Sequence, residues 1–303
     1  MHTEEPPSYT NVIEDVPPER LRHLNPLDEL CLFSAIPFSN YDVPAGTLTD
    51  DRASLTTTHE LFYTSPTALS NFLTQQCHLP PRLLLHIKGS HTDTSRTIQP
   101  DFDLTLNLTA LLDIPQSGPS SLRFRIKPPP KETRPKRASL LNRAASPPTT
   151  PLETWCKRFT ADKSENKSLT LTRTFPGFPS AYIEGQLRTL LHTLKYRGIV
   201  DVSFPVYHQS VTVHKPPANW FYGILRLYPV KEFQIGESIW EVRGKDSGQS
   251  QKVVDEWWEE WKGPITNAVL KKTRGKIGVE EWMEWKMGLR EKERTREWAM
   301  EGH

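Results

Sequence analysis

Three stretches in the first half of this chain alternate apolar and polar residues with a period of two. They are LLLHIKG at 83–89, DFDLTLNLT at 101–109 and LRFRIK at 122–127. Because successive side chains of a β-strand point to opposite faces, the alternation predicts strands that bury one face and expose the other. Strands with one solvated face are typical of antiparallel sheets.

The pattern returns later in the chain on either side of an amphipathic helix. A strand is predicted at 167–175, the helix at 180–194, and two further strands at 198–206 and 209–215. The helix carries one apolar stripe, formed by Ile183, Leu187, Leu190, Leu191 and Leu194. The strand before the helix and the strand after it could form a crossover unit. The final two strands are predicted to form a hairpin with a tight turn near Tyr207 and His208.

The C-terminal part of the chain changes to a helical, tryptophan-rich character. Six of the nine tryptophans lie here: Trp257, Trp258, Trp261, Trp282, Trp285 and Trp298. The prediction is therefore an α+β fold, in which a mainly antiparallel sheet packs on one amphipathic helix and a Trp-rich helical region follows.

Proline and charge divide the chain into five parts. Residues 1–58 are predicted to be a largely disordered tail with a short helix near 26–33, because prolines recur there without sustained periodicity. Residues 59–127 and 155–245 would form the two parts of one sheet domain, and 246–303 the helical region. Residues 128–154 are predicted to be a basic, proline-rich linker.

A separate helix is predicted at SPTALSNFLTQQ, capped by Ser65 with Pro66 at its first position.

Bulk composition narrows the functional classes. The 38 basic and 36 acidic residues give a net charge of +2, which argues against a nucleic-acid partner. Three scattered cysteines indicate reduced thiols. The acidic, proline-rich N-terminus predicts no secretory signal, and the sequence contains no run of 18 apolar residues. We therefore expect a cytoplasmic protein, with the cytosolic face of a membrane as the alternative location. Glycine-rich phosphate loops and G-x-S-x-G are absent, so the sequence predicts no enzyme activity and no cofactor.

One short motif has a clear recognition mechanism. Pro6, Pro7, Ser8 and Tyr9 form the PPxY pattern that WW domains bind, including those of HECT-type ubiquitin ligases. The prolines preset the extended conformation, so that docking loses little entropy, and the tyrosine fills a second pocket. The sequence predicts an interaction or adaptor protein with Pro6, Pro7 and Tyr9 as its partner-binding residues.

An enzymatic alternative depends on two carboxylates in DFDLTLNLT. Asp101 and Asp103 resemble the aspartate pair with which glycosyltransferases hold a divalent metal and a sugar nucleotide. The regular alternation instead places both on the solvated face of a strand, where Arg123 and Arg125 of an adjacent strand would pair with them. His86, His91 and Asp93 lie close in sequence, but a strand followed by a polar turn explains them.

Two further sets of residues suggest regulation and membrane contact. Basophilic kinases would act on Ser139 and proline-directed kinases on Ser146 and Thr150, where a phosphate would offset nearby basic charge. The linker could also attract anionic lipid through Lys136 and Arg137. The aromatic residues Trp220, Phe221 and Tyr222 would contact the membrane interface together with these two basic residues. A peripheral membrane protein is thus a third hypothesis.

Several longer motifs resemble a family of uncharacterised proteins from filamentous fungi. They are the PPSY near the start, IKGSHTDT with DFDLTLNLT, KSLTLTR followed by AYIEGQLRTLL and YRGIVDVSFPV, and DEWWEEWKGPITNAVLKKTRG. Members of that family usually carry an aromatic, apolar stretch that looks like a membrane span, which is shortened here to NWFYGILRLYPV. The resemblance implies a fold and a membrane context, and no established activity.

Overall fold

The computed structural model describes residues 25–114, 123–126, 150–217, 229–244 and 247–288. The α-helices are α1 (Pro26–Ser34), α2 (Glu60–Thr64), α3 (Pro66–Cys77), α4 (Pro151–Ala161), α5 (Ser180–Thr193), α6 (Ser247–Leu270) and α7 (279–288). The strands are β1 (Gly46–Leu48), β2 (Ser54–Thr57), β3 (Arg82–Thr92), β4 (Ile98–Asn107), β5 (Arg123–Ile126), β6 (Lys167–Thr174), β7 (Ile199–Ser203), β8 (Val206–Tyr207), β9 (Ser210–Lys215), β10 (Lys231–Ile239) and β11 (Arg274–Lys276).

The strands form two sheets. The first has the order β1-β2-β9-β6-β10-β5, and the second has the order β11-β4-β3-β7, with β8 also paired to β3. Six of the described strand pairs are antiparallel and three are parallel. The α+β class and the predominance of antiparallel pairing are confirmed. The sequence had indicated a single sheet, and the structure shows two.

The second sheet packs against α5 and α6. Ile183, Leu187 and Leu191 of the predicted α5 stripe are buried, and the α6 residues Trp257 and Trp261 join the same core. A C-terminal helical region with tryptophans is therefore confirmed for the described residues, although β11 lies between α6 and α7 and joins the second sheet. The first sheet has its own core, which it shares with α3 and α4.

Residues 25–58 correct the prediction of a tail that extends to residue 58. This segment contains α1, β1 and β2, and Val43 and Leu55 are buried in the core of the first sheet. Asn25 caps α1 by accepting hydrogen bonds from the backbone N–H groups of Leu27 and Asp28. The segment is ordered by docking on the rest of the protein, which local periodicity does not record. Residues 1–24 lie outside the described residues.

The predicted hairpin of the last two strands is wrong. β7 pairs with β3 in the second sheet, whereas β9 pairs with β2 and β6 in the first. The turn at His208, with a φ of 55°, carries the chain from one sheet to the other. For the same reason β6, α5 and β7 do not form a crossover unit within one sheet.

The expected pairing of the acidic and basic strands does not occur either. β4 belongs to the second sheet, and β5 lies at the edge of the first, where Arg125 faces Glu237 of β10.

Two capping predictions are confirmed: Ser65 accepts a hydrogen bond from the N–H of Ala68, and Pro66 begins α3. In the part of the chain that the structure describes, no helix combines the length and apolarity needed to cross a bilayer.

Candidate functional site

Asp101 and Asp103 lie on β4 as the alternation predicts. Phe102, Leu104 and Leu106 are buried in the core, and the two aspartates point to the opposite face of the strand. The face is polar, but the two carboxylates differ in exposure. The side chain of Asp103 is 38% exposed and that of Asp101 only 11%.

Asp101 is the centre of a network that joins four segments of the chain. The Tyr196 hydroxyl donates to its Oδ2 at 2.8 Å, and His91 Nδ1 lies 2.9 Å from its Oδ1. Lys272 Nζ is 3.7 Å from the same Oδ1. Burial acts to raise the pKa of Asp101, but the bonds from His91 and Tyr196 outweigh it and hold the pKa below its ordinary value. Burial and the nearby carboxylate raise the pKa of Tyr196.

Two glycines make room for Tyr196. A Cβ at Gly89 would lie 2.3 Å from the Phe102 ring and 2.8 Å from the Tyr196 hydroxyl. A Cβ at Gly198 would lie 2.2 Å from that hydroxyl. The sequence IKGSH therefore needs its glycine for the close approach of two aromatic rings, and the slot directs Tyr196 at Asp101.

Asp103 is held separately from Asp101. His86 Nε2 lies 2.5 Å from its Oδ1, and Lys88 occupies the facing position on β3. Each carboxylate thus has its own histidine, an arrangement that ties β3 to β4. Across the described ranges there is no group of three or more His, Cys, Asp and Glu side chains able to hold a metal ion.

Most of the other predicted site residues lie outside the described residues: Pro6, Pro7, Tyr9, Lys136, Arg137, Ser139, Ser146, Trp220, Phe221 and Tyr222. Thr150 is described, and its hydroxyl caps α4 by accepting the N–H of Glu153 at 3.2 Å. The predicted end of the linker at residue 154 is corrected, because α4 begins at Pro151.

A buried arginine was missed by the sequence analysis. Arg173 of β6 is fully buried, and its guanidinium donates to the carbonyl oxygens of His208 and Gln76 and to Gln76 Oε1. Burial lowers its pKa to about 10. Burial, together with the charge of Arg173, lowers the pKa of His208 to about 4. A signal was present in the sequence: Arg173 is in phase with Leu169 and Leu171, which face the core.

A β-bulge reshapes the polar face of the first sheet. Gln234 of β10 lies opposite Thr170 of β6, but Glu237 lies opposite Thr172, so β10 contains one extra residue. Unbroken alternation would place Glu237 with the buried Phe233 and Ile235, and the bulge turns it outward instead. Glu237 thereby lines two adjoining concavities of about 430 and 380 Å³.

Gly236 makes the bulge compatible with the neighbouring strand. A Cβ at this position would lie 2.2 Å from the carbonyl oxygen of Arg125 on β5. The sequence QIGES contained this signal, because a glycine inside a strand often marks a bulge. We call the two concavities together the Glu237 groove.

No protein-family model, curated protein or solved structure matches this chain. The resemblance to the fungal family therefore stays a prediction.

Proposed function

We propose that this chain is a non-enzymatic interaction protein in which Pro6, Pro7 and Tyr9 bind a WW domain of a partner such as a HECT-type ubiquitin ligase. Two adjacent prolines favour the extended conformation that WW grooves accept, and the tyrosine supplies a second anchor. A partner bound to this motif would be tethered to the folded body through the segment of chain that joins the two.

The attachment of the motif to the folded body carries this proposal. Tyr9 precedes Asn25, the cap of α1, by 16 residues, which span at most about 55 Å. Helix α1 is anchored by the buried side chains of Leu32 and Glu29, the latter bonded to Trp261 of α6. A WW domain on the motif would therefore stay within this distance of a fixed point, as an adaptor requires.

The test is WW-domain binding by the full chain, measured with wild type and with Tyr9→Ala. We expect the substitution to weaken binding at least about tenfold, because it removes one of the two anchors. Ser8→Ala is the matched control, since the position between the prolines and the tyrosine is variable in the motif. A second control replaces Pro17 and Pro18 by alanine, a proline pair that no tyrosine follows at the same spacing. Equal binding by wild type and Tyr9→Ala would refute the proposal.

Contact with a membrane surface is a second proposal, compatible with the first. Lys136, Arg137 and the aromatic residues Trp220, Phe221 and Tyr222 would provide it. The supporting observation is that Lys215 and Lys231 flank the aromatic segment at one end of the first sheet, on the two strands that neighbour β6. Lys231 pairs with Asp162 there, and Lys167 between them is buried, so Lys215 is the basic group of this end that lipid would meet first. Basic residues near a bilayer contribute about 1 kcal/mol each when the lipid is anionic. Flotation with liposomes should therefore depend on phosphatidylserine content, and flotation that ignores it would exclude this mode.

A further inference from the structure

The face of the first sheet away from α3 and α4 is lined with partly exposed polar side chains. Three pairs of them face each other across β6 and β10: Ser168 with Glu232, Thr170 with Gln234, and Thr172 with Glu237. Neighbouring strands lie about 4.8 Å apart, and successive outward residues of a strand about 6.7 Å apart. The pairs therefore form a ladder of hydroxyl, amide and carboxylate groups along the Glu237 groove.

One end of the groove differs in character. Phe175, Pro176 and Ile239 line the larger concavity together with Arg125 and Glu241. The groove thus offers an apolar surface at this end and hydrogen-bonding groups along the rest of its length. The two concavities, of about 430 and 380 Å³, each fall in the range of ordinary ligand sites, which begins at about 300 Å³.

We propose that the Glu237 groove binds a neutral oligosaccharide. In OB-fold barrels a polar strand face binds oligonucleotides or oligosaccharides, and the charge of the face in this protein favours the second class of ligand. Glu232, Glu237 and Glu241 outnumber Arg125, so the phosphates of a nucleic acid would be repelled.

The chemistry of the lining fits a sugar. Threonine and serine hydroxyls both donate and accept hydrogen bonds, and carboxylates accept them, as a ligand covered with hydroxyl groups requires. The C–H face of a sugar ring is apolar and would pack on Phe175 and Pro176. Pyranose chains present both surfaces, whereas a purely cationic ligand would use only the carboxylates. This inference goes beyond the proposed PPxY function and does not depend on it.

The experiment is calorimetric titration of the full chain with four linear hexasaccharides: maltohexaose, cellohexaose, laminarihexaose and chitohexaose. We expect saturable binding of at least one. Thr172→Val keeps a β-branched side chain of the same size and removes one hydroxyl, and Glu237→Gln keeps the shape and removes the charge. Thr172→Val should weaken binding about fivefold or more, which corresponds to one lost hydrogen bond. Glu237→Gln should also weaken binding, because it replaces one acceptor oxygen by a donor and removes the charge that strengthens the bonds to the other.

Thr56→Val on β2 is the matched control. Thr56 is equally part-exposed but does not line the groove, so its substitution should change the affinity less than about twofold. Absence of binding by all four sugars would overturn the proposal, as would sugar binding unchanged in Thr172→Val and Glu237→Gln. Binding of oligolysine that weakens with salt, in place of sugar binding, would overturn the assigned ligand class.

Discussion

Trp261 of α6 donates a hydrogen bond of 3.1 Å from its indole nitrogen to the carboxyl oxygen of Glu29 on α1, and both side chains are buried. This contact fixes the helix that follows the PPSY segment to the C-terminal helical region. Burial raises the pKa of Glu29 from 4.5 to about 8, although the bond from Trp261 acts to lower it. At neutral pH the carboxyl group is therefore protonated in the folded protein.

The first prediction concerns the pH dependence of stability. Between pH 4.5 and 8 the folded protein keeps a proton on Glu29 that the unfolded chain releases, so the free energy of unfolding falls as pH rises through this window. The slope from this group is about 1.4 kcal/mol per pH unit. Glu29→Gln keeps an acceptor for Trp261 without the titration, so its stability relative to wild type should increase from pH 5 to pH 8. Urea unfolding at several pH values measures this.

Glu60→Gln is the matched control for this prediction, because Glu60 is exposed in the first turn of α2. Its stability difference from wild type should vary little over the same pH range. A Glu29→Gln variant whose stability follows that of wild type at every pH would show that Glu29 is ionised in the folded state.

The second prediction concerns the buried guanidinium of Arg173. Its three hydrogen bonds to Gln76 and His208 join the end of β6 to α3 and to the turn between the sheets. Arg173→Ala leaves a cavity and unpaired acceptors, and should lower the free energy of unfolding by about 3 kcal/mol or more. Arg188→Ala, which breaks only an exposed pair with Glu184, should cost less than about 1 kcal/mol. Similar losses for both variants in urea unfolding would contradict a structural role for Arg173.

The third prediction separates the structural role of Asp101 from the enzymatic alternative. Tyr196→Phe removes the hydroxyl that bonds Asp101 and keeps the ring, so it should lower stability by about 1 kcal/mol. Tyr182→Phe is the control, because the Tyr182 hydroxyl bonds Asp255 at a more exposed site. Thermal unfolding measures the stability of both variants. In the same assay, divalent metals with sugar nucleotides should leave the melting temperature of wild type unchanged. A shift that Asp101→Asn or Asp103→Asn abolishes would favour the enzyme instead.

The fourth prediction concerns Gly236. An alanine Cβ here would meet the Arg125 carbonyl oxygen at 2.2 Å, so Gly236→Ala should force β5 away from β10 and cost about 1–3 kcal/mol. Gly185→Ala in α5 should have the opposite sign, since its Cβ would meet no atom within 4 Å. Alanine at a helical glycine adds about 0.5–1 kcal/mol. Chemical denaturation of both variants gives the two signs, and a stabilised Gly236→Ala would rule out the close approach.

Local elements were largely predictable because their signals are local. Ser65 and Pro66 marked the start of α3, and the apolar stripe of α5 is buried where the period of 3.6 placed it. The outward position of Asp101 followed from strand alternation alone. Its enclosure by Tyr196 did not, because that contact joins residues 95 positions apart through slots made by two glycines.

The sequence by itself determined α1, α3 and α5, the strands β3 to β7 and β9, and which face of most of these strands is buried, since both depend on side-chain spacing along the chain. It did not predict β1, β2 or β10, which are short or interrupted by a bulge. Only the tertiary structure decided that β7 and β9 belong to different sheets, and that β5 pairs with β10 and not with β4. Alternation identifies the face of a strand that becomes buried. It does not identify the strand that pairs with it, because the backbone groups that form the hydrogen bonds are the same in every strand. Which strands pair, and which way Glu237 points, are both decided by the packing of segments that lie far apart in the sequence.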